Sequence, residues 1–559
     1  MTPLWLLISC VTQPVDDAAL TADGGPDMVV APGTAPDVPD DDSTTTPDAV
    51  VAFDAVAALT RASLDLRGIR PDETEIAAVE ADPDSYAAFV DAFMVDPAFG
   101  GRVRGLFGEI YLTSQDSWYV TAADYGLDDE VGFATAVGEE SLRILSTIAE
   151  DDLPYTDLVT ADWSMADENI GRAWPTDYPA DGEGWQQVHY TDGRPGAGIL
   201  TTNGMWWRYT STDSNANRGR ANAASRILLC NDYLSKPIEF DRNVNLLDSD
   251  ALTDALQSNP GCVACHNTLD PFASYFYGFY QYIYYSRTEL TSYHPERETM
   301  WTTVTGVQPG FYGEVGYSLE DLGQQIAGDP RFPQCVTEQV FELLTRREAT
   351  IADDDELTAM REVFLDGGLV LRSLFREVLL SDAYRLRVDS DGSALRKMVS
   401  VDQLGDSMEE LTGFRFENQG YDVLASDDYG VRTLAGGVDG TYATRPADAP
   451  TATSALVVER ISQAAAAAVA EADHDDPDNA RLFTLIDFSE TPDTDPAAMA
   501  AQVQRLHLLL FGQRVAVDGE EVTDNLALWS ELYGVLGDTE AAWAGLLSVL
   551  FRDPEFLFY

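Results

Sequence analysis

From about Ala49 onward, large apolar side chains recur at three- and four-residue spacing, the period of an amphipathic helix rather than a strand. Short polar steps interrupt the pattern. Asp82-Pro83, Asp96-Pro97 and Asp553-Pro554 each set a carboxylate directly before a proline, as expected at the N-cap and first position of a helix. One module recurs in FVDAFMVDPAF (Phe89 to Phe99), LFREVLLSDAY (Leu374 to Tyr384) and LLSVLFRDPEF (Leu546 to Phe556). In each copy a cap (Asp96, Ser381, Asp553) satisfies free N–H groups, and an aromatic three residues on (Phe99, Tyr384, Phe556) turns back into the core. The pattern predicts a mainly α, multi-domain helical protein. Its better strand candidates are WTTVTGV (Trp301 to Val307) and the stretch Gly198 to Thr202.

Composition changes this picture at the ends and breaks. Val11 to Val50 is rich in Asp, Pro, Thr, Ala and Gly, with too few large apolar residues to offset the entropy of ordering it, so it reads as a tether. Asp389 to Ser393 (DSDGS) reads as a linker, because the calcium loop it suggests would need a glutamate where Ser400 stands. Asp473 to Asn479 (DHDDPDN) marks another break.

Charge sets the partners. The 559 residues hold 34 Lys plus Arg against 95 Asp plus Glu, a net charge of -61, which excludes nucleic acid because phosphate binding needs a basic footprint. Only Lys236 and Lys397 are lysines. At the start, Leu7-Ile8-Ser9-Cys10 resembles the lipobox of bacterial lipoproteins, although no basic residue precedes the short apolar run Leu4 to Ile8. This implies lipidation at Cys10 and a membrane partner through the lipid anchor. No later segment has the roughly 18 apolar residues of a spanning helix.

The motif with chemistry in it is Cys262-Val263-Ala264-Cys265-His266, the C-x-x-C-H signature of haem c attachment. Two thiols three positions apart can each add to a vinyl group of one porphyrin, and the next residue brings an imidazole to the iron. A redox disulfide lacks its strand-helix context here, and a zinc site lacks a second ligand pair; an inert disulfide stays open. For the opposite axial position the candidates are Met300, preferred because a thioether raises the potential, and His294. The aromatic tract Tyr275 to Tyr285 either walls a haem pocket or packs an ordinary core.

GCVACHNTLDP with the aromatic stretch after it resembles the planctomycete-type cytochrome C domain of large exported proteins of planctomycetes and myxobacteria. LTRASLDLRGIRPDETEI, TIAEDDLPYTDLVTADWSMADENIG, RPGAGILTTNG, Asn217-Arg218-Gly219-Arg220 and DPRFPQCVTEQVFELLTRREAT extend the resemblance over most of Leu59 to Arg387. It implies haem at Cys262, Cys265 and His266, and no substrate. Asp270-Pro271 matches the family and is read as a helix cap or turn; the glycine and acidic residue that commonly follow are replaced by Ala273 and the Tyr/Phe run. The resulting division is 1–10 lipoprotein signal, 11–48 tether, 49–118 and 119–190 helical domains, 191–300 cytochrome C-like domain, 301–390 helical domain and 395–559 C-terminal helical domain. With Cys10 lipidated and two cysteines on haem, Cys230 and Cys335 are the thiols left to pair as a disulfide, since an odd free thiol is uncommon outside the cytosol.

The function expected is an exported protein of the cell envelope, lipid-anchored, with one haem c per chain and an unidentified redox partner. The alternative is a non-redox surface lipoprotein that binds a partner or glycan, with Cys262 and Cys265 structural and Trp206-Trp207 as stacking platforms. No Ser-His-Asp elbow, P-loop, Rossmann fingerprint or H-E-x-x-H occurs, so electron transfer or binding is favoured over catalysis.

Overall fold

Helix starts in this protein are built by short polar side chains that meet the free N–H groups of the first turn. Asp72 accepts from Thr74 and Glu75 while Glu75 reaches back to the Asp72 N–H, and Ser318, Ser400 and Thr451 head similar reciprocal caps. In a computed structural model, residues 54–115, 117–212, 215–235, 248–279, 288, 292–386, 396–418, 420–425, 427, 430–439 and 442–559 are described. Cys10, the tether and the 389–393 linker lie outside them. The protein is mainly helical, 62% helix against 4% strand, in agreement with the apolar period.

The three modules behave alike at the aromatic and differ at the cap. Phe99, Tyr384 and Phe556 are all buried. Asp553 caps Pro554–Leu557, and Ser381 caps Asp382–Arg385. Asp96 instead makes a turn, accepting from Ala98 at 2.8 Å, and the next helix, Phe99–Tyr111, starts at the aromatic itself.

Both strand candidates are corrected. Trp301–Val304 is a short helix, and Gly198–Thr201 is a 3-10 turn. The threonines of the first use their hydroxyls on the preceding turn, Thr302 to Thr299 O (2.8 Å) and Thr303 to Met300 O (3.1 Å), which offsets their β preference. The described strands are two- and three-residue pairs, of which Ser164–Ala166 with antiparallel Gln186–Val188 is the longest.

One large apolar core draws on residues from Ala58 to Tyr384, a second on Val399 to Tyr559 with Leu64, and a smaller aromatic one on Trp118 to Val188. Between the first two lies a buried polar knot. Asp65, 1% exposed, receives Lys397 Nζ at 2.6 Å and the hydroxyls of Tyr384 (2.7 Å) and Tyr559 (2.8 Å). Arg61 donates to Tyr384 O at 2.6 Å and lies over its ring, while Gln403 donates to Leu64 O and the Tyr559 hydroxyl. Burial works to raise the Asp65 pKa, yet the charges of Lys397 and Arg61 outweigh it and hold the carboxyl below its usual range. Residues 397 and 559 also exchange backbone hydrogen bonds, so the C-terminus closes onto the same knot.

Cys230 and Cys335 lie at disulfide distance, with Cα atoms 5.3 Å apart and a sequence separation of 105. Cys230 takes a left-handed conformation at the end of helix Arg218–Leu229, and Cys335 sits in helix Arg331–Thr345.

Two outcomes follow from this packing. Replacing both cysteines by alanine is expected to lower unfolding stability by about 2–5 kcal/mol, read by chemical denaturation with and without reductant. Lys397→Met, which strands the Asp65 carboxylate, is expected to cost about 3–5 kcal/mol, and Asp65→Leu combined with it to recover much of that loss. A single variant as stable as the parent would remove the knot from its anchoring role.

Candidate functional site

The C-x-x-C-H motif occupies the first half of helix Pro260–Ala273. Asn259 starts the helix by accepting from Gly261 N–H at 3.0 Å, with Pro260 at the first position, where its missing N–H costs nothing. Leu269, Phe272 and Ala273 bury its far end. At 3.6 residues per turn, positions 262, 265 and 266 fall on one side of the helix, so both thiols and the imidazole share a face. Cys262 and Cys265 are free and partly exposed, and Cys265 packs against the large core.

His266 is held from behind. Its Nδ1 lies 2.8 Å from Asp270 Oδ1, one helical turn on, and in a neutral ring an Nδ1–H donated to that carboxylate leaves Nε2 its lone pair. Asp270 is in turn clamped by a two-point contact from Arg218, Nε to Oδ1 at 2.6 Å and a terminal nitrogen to Oδ2 at 3.0 Å. Side-chain exposure is 24% at His266, 13% at Asp270 and 20% at Arg218, so the carboxylate is the most buried of the three. Burial alone would raise the Asp270 pKa; hydrogen bonds from His266 and Arg218, with the Arg218 charge, hold it below the usual carboxylate range. A carboxylate behind a histidine is the arrangement that orients a ligating imidazole and raises its basicity.

The helix that delivers Arg218 is fixed at both ends. Arg220, on its first turn, donates to Phe279 O (2.7 Å) and Asn217 Oδ1 (2.9 Å), and its last residue leads into Cys230 and the bond to Cys335. The disulfide therefore secures the element that positions His266 through Asp270.

Asp270 is corrected from a cap or turn residue to an internal helical residue whose carboxylate meets both Arg218 and His266. The signal was present as a histidine and a carboxylate four apart in a helical segment. Arg218 had no comparable local signal, because its partner is 52 residues away in sequence.

The aromatic tract, as far as it is described, is core. Tyr275, Phe276, Tyr277 and Phe279 are buried; Phe276 packs edge-on to Trp206 at 4.6 Å, and Phe279 to Tyr293 at 5.0 Å. Residues 280–285 lie outside the described residues. Trp206 is 1% exposed and Trp207 packs against Trp118, Phe133 and Trp174, so the pair is not an open stacking platform. His294 N–H donates to Gly278 O at 2.8 Å, and its ring meets Glu296 at 3.2 Å. Met300 closes the 3-10 turn Pro295–Met300, partly buried.

Among the described residues no group of three or more His, Cys, Asp or Glu side chains could by itself hold a metal ion. A covalent haem does not need one, since the porphyrin supplies four ligands and the protein one or two. Two unbonded thiols and an oriented imidazole on one helix face fit its attachment. No protein-family model, curated protein or solved structure matches the chain.

The relay is testable without any cofactor. Nitrogen-15 NMR of histidine-labelled protein is expected to show His266 as the Nδ1-protonated tautomer, and Asp270→Asn to abolish that preference and cost about 1–3 kcal/mol of stability. An Nε2-protonated His266 in the parent protein would rule the relay out.

Proposed function

We infer that this chain is a c-type cytochrome-like protein carrying one covalent haem, exported and tethered at the cell envelope through Cys10, and that it passes single electrons to a redox partner. The observation that supports this most is the Arg218–Asp270–His266 relay standing beside two free thiols on one helix face. A structural cysteine pair has no use for an imidazole whose tautomer is set by a clamped carboxylate. The resemblance to the planctomycete-type cytochrome C domain points the same way.

Cys262 and Cys265 would hold the macrocycle through thioether bonds, and His266 Nε2 would be the proximal ligand. The haem supplies a one-electron couple. Everything else is done by the chain: Asp270 keeps the Nδ1 proton in place and places negative charge behind the ring, which favours the more positive, oxidised state and lowers the potential. Arg218 limits that effect by neutralising part of the charge, and keeps Asp270 from rotating away. Phe272, Phe276 and Phe311 form apolar packing behind the helix. Met300 is the proposed ligand on the other side, ahead of His294.

Expression with haem-maturation machinery in an oxidising compartment tests the reading. One acid-acetone-resistant haem per chain is expected; Cys262→Ala with Cys265→Ala should carry none, and His266→Ala should keep the thioether links but lose the low-spin spectrum. Asp270→Asn should raise the reduction potential and weaken iron–imidazole ligation by about 10–100-fold. Met300→Ala with an unchanged reduced spectrum would reject Met300 alone. An iron-free wild type from a competent host would reject the haem.

A further inference from the structure

A cleft of about 810 Å³ opens between helix Phe99–Tyr111, the end of helix Glu130–Glu150 and helix Val401–Thr412, far in sequence from the cysteine motif. That volume lies within the range of small-molecule sites, roughly 300–1,000 Å³. Two glycines of Phe99–Tyr111, Gly101 and Gly105, line it. Each costs about 1 kcal/mol against alanine inside a helix. A methyl group on Gly100 would meet the Glu150 carboxylate, the far end of a flexible side chain, while methyls on Gly101 and Gly105 would stand in ordinary contact with Arg104 and Arg102 at 3.7 and 3.6 Å. The bared backbone is the floor over which these charged side chains lie.

Most charges on the cleft wall are already matched by groups outside it: Arg67 by Glu75 (2.8 Å), Arg143 by Glu139 (2.7 Å), Asp402 by Arg432 (2.6 Å) and Glu409 by Arg415. Of the rest, Arg104 lies 3.8 Å from Glu139, Arg481 donates to Glu410 O, and the Glu150 and Glu410 side chains are exposed to water, so Arg102 and Asp406 are the less exposed wall charges left without an ion pair among the described residues. Arg102 is only 6% exposed, and of its three nitrogens Nε alone is engaged, donating to Asp65 O at 3.3 Å; the two terminal nitrogens have no hydrogen bond or ion pair among the described residues. Asp406 has none either, although its Oδ2 and the Arg102 Cδ flank one point, 2.7 and 3.3 Å from where a Gly68 Cβ would stand. Burial pushes the Asp406 carboxyl up to about 6, with Arg102 and Arg415 opposing and Asp402 and Glu409 adding to the rise. Opposite charges this close ordinarily collapse into an ion pair. Here they are held apart in front of a cleft, with the two terminal nitrogens of a largely buried arginine free of protein acceptors.

We propose that this cleft binds a small zwitterion, a free amino acid or short peptide, with its carboxylate on Arg102 and its ammonium on Asp406. A simple anion is disfavoured by the chain's net charge of -61, and a simple cation leaves Arg102 unmatched beside Arg104 and Arg481. A neutral sugar finds no aromatic ring among the cleft-lining residues to stack on. A ligand with both charges and no net charge meets Arg102 and Asp406 together.

Isothermal titration calorimetry on the full chain at neutral pH tests this with individual L-amino acids, di- and triglycine, acetate, ethylammonium and glucose. The expected result is saturable binding of one zwitterion per chain, weakened by about tenfold or more when its carboxylate is amidated or its amine acetylated, the loss of one charged contact. Tighter binding of amino acids than of glycine peptides would identify the free amino acid as the ligand, and the reverse order a peptide. Arg102→Gln and Asp406→Asn should each give a similar loss with an unchanged far-ultraviolet circular dichroism spectrum; Asp406→Asn decides the matter if Arg102→Gln does not fold, since Asp406 holds no structural hydrogen bond. Acetate or glucose binding as tightly as any zwitterion, no saturable heat from any zwitterion at millimolar concentration, or an Asp406→Asn variant that binds like the parent would each overturn the proposal.

Discussion

Asp65 is a carboxylate shut off from the surface, and what keeps it charged comes from other side chains. Lys397 and Tyr559 reach it from the C-terminal part, Tyr384 from the second helix-cap-aromatic module, and Arg61 from one turn earlier on its own helix. Because an unpaired buried charge is far more costly than a paired one, the first helix, the module and the last residue must close together. This couples the two large apolar cores. Lysine suits the position. Its ammonium is a compact point charge that a single carboxylate and two phenol rings can surround.

Elsewhere the scarce positive charge is almost all arginine, used in forks. Arg218 on Asp270, Arg194 on Asp192, Arg347 on Asp353 and Arg432 on Asp402 are two-point contacts that carry geometry as well as charge. In a chain so rich in carboxylates, such forks select which acids are structural and leave the rest to water. That selection is what makes the cysteine helix and the Arg102 cleft distinctive. At the first, an arginine locks the carboxylate behind a histidine; at the second, an arginine is left with terminal nitrogens facing open space.

Legibility followed the range of the interaction. The starts at Asp82 and Asp553 depend on the next two residues, and the cap-and-aromatic modules on residues within one turn, so local pattern was enough to find them, although Asp96 makes a turn instead. Trp301 to Val307 was misread because β-branched side chains signal a strand only where a partner strand exists, and here threonine hydroxyls bond the preceding turn. The aromatic tract was ambiguous in sequence because a ring lining a pocket and a ring filling a core have the same composition. Packing against Trp206, Phe311 and Tyr293 shows its described part to be core.

The sequence by itself determined the helical class and the clustering of two thiols and an imidazole, because these rest on period and spacing. It also singled out Cys230 and Cys335, through a count of thiols that needs no coordinates. Tertiary structure alone decided that Arg218 stands behind Asp270, that Lys397 neutralises Asp65 across 332 residues, and that Arg102 and Asp406 face one cleft without pairing. Each of these joins charges far apart in the chain. Nothing in a linear pattern records which of 95 acidic residues a given arginine or lysine will meet, since that choice is made by the packing of apolar faces that carry the charges with them.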